Sequence, residues 1–390
     1  MTQPLPAASA AGSAPIRVLY LVESMEIAGA EQVVLSLARG LDRDRFIPEI
    51  GCLTVEGPLA PRLREAGVPV VALGKRPGLD VSVVPRLMRM MRQRRIDIVH
   101  THVWNADVWG RVSAALAGVP VRITTAHSVD VWKGRAQLSV DRCLSMVTQR
   151  VVCVSEAVRT FYADRAGIAA EKLTVIYNGI DVQPFDGPID VAAKRRALGV
   201  DPAGPVLSVV ARLLPEKGHR HFLEALAALR GAQPRISGLI VGQGVMRAEL
   251  EARSRELGLL DSVRFLGERT DVPEILRATD ILVLPSTLRE GLSISLLEAM
   301  AARRPVVASD VGGNRETIGD SGAGLVVPPA DSRSLAVALE ALLADPERAH
   351  RMGEAGRAKV ERDFDIRRMV RQTETIYTDL LADRRRMRAH

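Results

Sequence analysis

The chain of 390 residues is 47 % apolar and 25 % charged, with a formal net charge of +7. That length and balance fit two globular domains rather than one. No apolar run approaches the ~18 residues that span a bilayer. With aromatics at 3 % there is also little to stack on single-stranded nucleic acid, so no nucleic-acid partner is expected.

The opening MTQPLPAASAAGSAP is rich in Ala, Pro and Ser. It has neither a basic start nor an apolar segment, and reads as a disordered tail over 1–15 rather than a signal peptide. IRVLYLV (16–22) is then a near-continuous apolar run, as a strand buried on both faces should be. AEQVVLSLARGL carries a helical period. Further strands are expected at EIGCLTV, VPVVALG, DIVHTHV, VRITTAH, RVVCVS and LTVIYNG, mostly separated by helical segments, which makes residues 16–185 a parallel α/β layer. Within it PRLMRMMRQRR (85–95), with Arg at 86, 89, 92, 94 and 95, is a basic amphipathic helix. It suits either an anionic membrane surface or a solvated face with its Met residues in the core. Cys52, Cys143 and Cys153 form no metal spacing and cannot all pair, which points to a reducing cytosol.

NGIDVQPFDGPID (178–190), dense in Gly, Pro and Asp, reads as an interdomain linker. The strand pattern then repeats over 186–364 in VLSVVAR, SGLIVG, VRFLG, ILVLPS, RPVVAS and GLVVPP. The expected fold class is α/β: two Rossmann-like domains whose parallel sheets face across a cleft, with ligands at the carboxyl ends of the strands.

Several strand-to-helix loops could carry chemistry. SMEIAGAEQ (24–32) offers close backbone approach at Gly29 and a helix N-terminus for an anion, though a plain tight turn explains it equally. It is not GxGxxG, so a dinucleotide reading loses its main support. VVARLLPEKGH brings Arg212 and Lys217 into one loop, where two cations could neutralise a diphosphate or merely be solvated. LIVGQG adds a second glycine loop at Gly242. LREGLSISLLEAM (288–300) sets Glu290 before a helix whose first amides, at Gly291, Leu292 and Ser293, suit phosphate oxygens. Glu298 follows about 12 Å further on, at ~1.5 Å per residue. Two carboxylates so spaced suit the hydroxyls of a sugar and a ribose flanking a diphosphate; the alternative is a dipole-complementing Glu290 and a solvated Glu298. None of these loops carries an Asp-x-Asp pair to hold a metal. His100 and His102 in VHTHVW are expected on opposite faces of a strand, which counts against joint metal binding.

Taken together, AGAEQVVLSLA, VVCVSEAVR, VIYNGID, ARLLPEKG, LVLPSTLREGLSISLLEAMAARRPVVASDVGGNRETI and GLVVPP resemble the family-four retaining glycosyltransferases of the GT-B fold, in that family's order. The resemblance implies transfer of a sugar from a UDP- or GDP-linked donor to an acceptor hydroxyl on a glycan or lipid-linked saccharide, with retention and without a metal or other cofactor. Glu290 would contact the donor sugar, Glu298 the ribose, and Arg212 with Lys217 the diphosphate, opposite Gly29. Arg269 and Val272 would neighbour the base. His127 matches the cleft histidine of the acceptor-binding N-terminal domain. Asn178 and Gly179 would border the hinge, and residues 365–390 would form a helix crossing back to the first domain. Two departures stand out: Arg303 and Arg304 follow MAA where the family has Gly and a variable residue, and GLSIS is more polar than usual. A cytoplasmic enzyme is expected, in peripheral contact with the inner face of the membrane through 85–95. A nucleotide-sugar epimerase, a phosphorylase or a non-catalytic nucleotide-sugar binder are the alternatives.

Overall fold

In the computed structural model, residues 14–389 are described; most of the tail expected over 1–15 lies outside them. Thirteen apolar runs become thirteen strands among the described residues, in two wholly parallel sheets. The first holds β1 (Ile16–Val22), β2 (Phe46–Cys52), β3 (Val70–Ala72), β4 (Ile98–His102), β5 (Val121–Ala126), β6 (Arg150–Cys153) and β7 (Leu173–Val175), in the order β3-β2-β1-β4-β5-β6-β7. The second holds β8 (Val206–Val210), β9 (Ser237–Val241), β10 (Val263–Gly267), β11 (Ile281–Leu284), β12 (Val306–Ser309) and β13 (Gly324–Val327), in the order β10-β9-β8-β11-β12-β13. Helices occupy the crossovers and cover both faces, which is why Val18 to Val22 and Ile281 to Leu284 are buried without alternation. Two sheets of this order facing each other make the GT-B architecture.

One strand is displaced from its expected place. β2 runs over Phe46–Cys52 instead of the segment 49–55, with Pro48 inside it. Proline is tolerated there because β3 pairs only with Ile50, Gly51 and Cys52, so on that side no ladder bond is asked of residue 48.

The basic helix Val83–Gln93 is held by its apolar stripe, with Val83, Leu87 and Met91 buried. Three of the five arginines are spent inside the protein. Arg86 pairs with Asp80 at 3.0 Å, Arg94 with Glu49, and Arg92 donates to the Leu116 carbonyl at 2.9 Å. Arg89 and Arg95 stay exposed. Among the described residues no helix is long and apolar enough to cross a membrane.

The chain crosses between the sheets twice, and the crossings are hydrogen-bonded to one another. Ile180 N–H donates to Phe364 O (2.9 Å) and Ile366 N–H to Ile180 O (3.1 Å). Gly179 permits this approach, since a Cβ there would lie 2.7 Å from the Ile366 Cα. The helix Ile366–Ala389 then packs on the first sheet, where Met369, Val370, Tyr377 and Leu380 join Phe46 and Tyr20 in one core. Tyr377 donates to Tyr20 Oη at 3.1 Å. A further apolar cluster contains Ala126 and Val154 from the first domain with Leu284, Leu292 and Leu296 from the second. It closes the back of the cleft.

Candidate active site

A cleft of about 960 Å³ separates the carboxyl ends of the two sheets. Gly29, His127, Asn178, Arg212, Lys217, Gly242, Arg269, Val272, Glu290, Gly291, Leu292, Ser293 and Glu298 all line it. Gly179 does not; it sits at the crossing, on a smaller adjoining cavity.

The centre is built by the segment after β11. Its strand ends at Leu284, Ser286 is buried, and the backbone turns through a left-handed Arg289 (φ 65°) into Glu290. Only 5 % of Glu290 is exposed. Its Oε1 accepts from Ser286 Oγ at 2.5 Å and from Lys217 Nζ at 2.6 Å, which fixes the carboxylate and leaves Oε2 for another donor. The helix Ile294–Ala301 follows, and no side chain caps its first turn: Ser293 Oγ pairs instead with Ser295 Oγ at 3.0 Å. Its first N–H groups therefore open on the cleft, beside the Lys217 ammonium. Arg212, exposed on the loop after β8, adds a second cation. Burial raises the Glu31 carboxyl across the cleft; the Glu31 backbone N–H and Arg212 partly offset this.

Two glycine positions explain why this loop can sit where it does. A Cβ on Gly291 would lie 2.0 Å from the His127 carbonyl, so only glycine lets the second domain's loop touch the first; residues 128 and 291 form an isolated antiparallel bridge there. Gly312 has φ 55°, and a Cβ would lie 1.9 Å from the Glu290 carbonyl. Gly313 N–H donates to Gly291 O at 2.9 Å. The DVGG segment is thus a cradle under Glu290 and Gly291.

On the opposite wall, at the end of β5, His127 Nε2 meets His102 Nδ1 at 2.8 Å. The expectation that His100 and His102 point apart is wrong: residues two apart in a strand share a face, and their rings lie 4.4 Å from one another. His102 and His127 thus form a directly hydrogen-bonded pair. No group of three or more metal-ligating side chains occurs among the described residues. Burial pushes the His127 imidazole down to about 4 and His102 well below its ordinary range, so both are neutral near pH 7. His102 Nε2 is buried without a partner. An orphaned N–H is worse than an orphaned lone pair, so the proton belongs on His102 Nδ1 and His127 Nε2 accepts it. His127 then offers its Nδ1–H as a donor.

Comparison with known proteins decides the lineage. The model for Glycosyltransferase Family 4 matches residues 27–184, and that for Glycosyl transferases group 1 matches 190–359. The alpha-maltose-1-phosphate synthase of Mycolicibacterium smegmatis is 31 % identical over 319 residues, covering 73 % of this chain and 79 % of its own. The chain belongs to glycosyltransferase family 4. This glycosyltransferase is also 27 % identical, over 92 % of its length and 95 % of the relative's, to the UDP-Gal:alpha-D-GlcNAc-diphosphoundecaprenol alpha-1,3-galactosyltransferase of Escherichia coli. Among solved structures, Anabaena HepE in complex with UDP-glucose superposes with a TM-score of 0.85 at 26 % identity, covering 93 % of this chain and all of that one.

Around that centre the remaining residues take distinct positions in the glycosyltransferase. Glu298 lies half-buried one helix face along, and among the described residues nothing donates to its carboxyl group; burial pushes it up to about 7. Gly242 (φ 134°) follows β9, where a Cβ would lie 2.1 Å from the Ala211 carbonyl, so it packs the 242–244 loop against the Arg212 loop. Arg269 is held bidentate by Asp271 at 2.7 Å, and Asp271 also takes Lys194 at 2.6 Å, so this guanidinium is already engaged at the cleft rim. Val272 begins the next helix. Asn178 is buried and donates to the Leu292 carbonyl at 3.1 Å, tying the crossing to the loop after β11. Gly29 approaches the same helix, with Ile294 Cγ1 at 3.8 Å from where its Cβ would be. Ser286 and Gly312 went unread in the sequence, and His102 was read there only against His100, not as the partner of His127. Ser286 is the one with a local signal, four residues before Glu290 on the same turn.

Proposed function

We propose that this glycosyltransferase moves a hexose from a UDP-linked donor to a hydroxyl of a glycan or lipid-linked saccharide, with retention and without a metal. The carrying observation is the Lys217–Glu290 pair at 2.6 Å beside the uncapped first turn of the helix Ile294–Ala301. A cation, helix amides and a fixed carboxylate within one loop cluster suit a diphosphate and the sugar attached to it. UDP is favoured over GDP because HepE is described with UDP-glucose and the E. coli relative is named for UDP-Gal.

In the reaction we infer, the acceptor hydroxyl adds to the anomeric carbon from the face the diphosphate leaves. The bond from that carbon to the β-phosphate oxygen breaks, and the acceptor's proton passes to the departing oxygen. Lys217, Arg212 and the helix amides take the growing negative charge. Glu290 Oε2 and the Nδ1–H of His127 hold sugar hydroxyls. Glu290 is a poor nucleophile for double displacement, because Lys217 and Ser286 already neutralise and fix it. Arg89 and Arg95 remain for an anionic surface at ~1 kcal/mol each, so contact of the helix Val83–Gln93 with a membrane is transient.

The test is a paired variant. Lys217→Ala lowers turnover by about 100-fold or more, the scale of one lost oxyanion donor. It also strands the buried Glu290 charge and loses stability. Lys217→Ala/Glu290→Gln regains stability but not turnover. Near wild-type turnover in either protein contradicts the diphosphate role of Lys217.

A further inference from the structure

The cleft wall of the first domain carries an aromatic corner that the transfer chemistry leaves unused. The chain has only three tryptophans. Trp109 packs against an apolar core, but Trp104 and Trp132 both line the cleft, their centroids 5.8 Å apart and their planes at 88°. Trp132 is 42 % exposed, which is unusual for the largest apolar side chain in a protein so poor in aromatics.

The corner is held rigidly from behind. Lys133 has a side chain 1 % exposed; its ammonium sits 4.5 Å from the Trp104 centroid, 4.9 Å from Tyr162 and 5.8 Å from Trp132. A cation over aromatic faces is attractive, and here it is also paired with Asp130 and Asp141, both at 2.9 Å. Trp132 Nε1 donates to Asp130 Oδ1 at 3.2 Å. Trp104 begins its helix directly after Val103, whose φ of 65° and ψ of 153° are essentially a glycine conformation. A β-branched residue held there is strained, and such strain collects where a neighbouring side chain has to be aimed. Buried charge, an indole hydrogen bond and a strained residue all fix two rings that nothing among the described residues fully covers.

We infer that Trp104 and Trp132 form the acceptor subsite, against which a pyranose ring lays its C–H face beside His127. A pyranose offers one face of C–H bonds and a rim of hydroxyls. The corner offers ring faces with negative quadrupoles, and beside them the exposed Asn105 amide, which has no side-chain partner among the described residues. A lipid tail would need an apolar groove that continues; here Asn105, His127 and Arg289 interrupt it. Preset rings with two torsions each lose little freedom on binding. The assignment deepens the proposed transfer by naming the acceptor end as a saccharide, and it rests on that reading only for the word acceptor.

Saturation-transfer NMR separates the two. The wild type, Trp132→Ala and Trp104→Leu are each mixed with UDP and with the methyl pyranosides of glucose, galactose, mannose and N-acetylglucosamine. Ring C–H signals of at least one glycoside appear with the wild type. They weaken by about tenfold in both variants, the scale of a lost ring stack, while the UDP signal persists in all three and reports an intact fold. Absence of every glycoside signal from the wild type, or its survival unchanged in Trp132→Ala, overturns the subsite. Loss of the UDP signal from the wild type overturns the donor reading instead, and the glycoside comparison still decides the subsite.

Discussion

Glu298 is where residue chemistry makes the sharpest claim. Its carboxyl is pushed up to about 7 by burial, from an ordinary value of 4.5. A folded-state pKa above the unfolded one gives stability that is present below pH 4.5 and lost as pH rises through 7. Two ribose hydroxyls donating to the carboxylate favour its ionised form. UDP binding at pH 7 therefore releases protons, seen in calorimetry as a heat that varies with the buffer's ionisation enthalpy; in Glu298→Gln the release falls to what the nucleotide alone contributes. Equal release in both proteins makes Glu298 structural. The sequence displayed this residue, with Glu290, Lys217 and Arg212, because spacing within one loop or helix is local. It hid Ser286 as a clamp on Glu290 and His102 as the partner of His127, since both depend on which loops and strands fold side by side. His100 and His102 were misjudged for a simpler reason, the two-residue period of a strand. Arg303 shows the opposite case: its φ of 57° is the left-handed turn that makes glycine usual there, and pairs with Asp186 and Glu354 hold the arginine in that conformation.

At the scale of elements, near-continuous apolar runs identified both sheets, because parallel strands covered by helices need no alternation. β2 lies three residues before the expected segment and takes in Pro48, which the short reach of β3 makes harmless. For the basic helix Val83–Gln93 the pattern did not show that Arg86, Arg94 and Arg92 find Asp80, Glu49 and a carbonyl, none of them near in sequence pattern. What no local pattern shows is how the loops nest. Gly312→Ala must move the Glu290 carbonyl and adopt a strained φ, so it is expected to lower unfolding stability by about 2 kcal/mol or more and to weaken nucleotide binding with it. Gly231→Ala, where a Cβ meets nothing within 4 Å, serves as the control and stays near wild type. The urea midpoints of the two variants check this, and equal midpoints would remove the cradle from the account.

Across the whole molecule, the two crossings at 178–181 and 364–366 form one hydrogen-bonded pivot. The terminal helix anchors one side of it in the first domain, and Asn178 links the other side to the loop after β11 through Leu292. Closure of the domains about such a pivot would exclude water from the transfer and complete the site. The pivot is built from residues nearly two hundred positions apart, so the linker composition at 178–190 could not show its partner segment. The most direct test is the unfolding temperature of the protein with UDP, GDP and ADP in turn, in the presence of EDTA. At a hundred times its dissociation constant a bound nucleotide adds about 2.7 kcal/mol. The account predicts that UDP alone raises the midpoint in EDTA and that Lys217→Ala, measured against its own baseline, loses most of the rise. No rise with any nucleotide until a divalent metal is added would contradict a metal-independent diphosphate site built from Lys217, Arg212 and the helix amides.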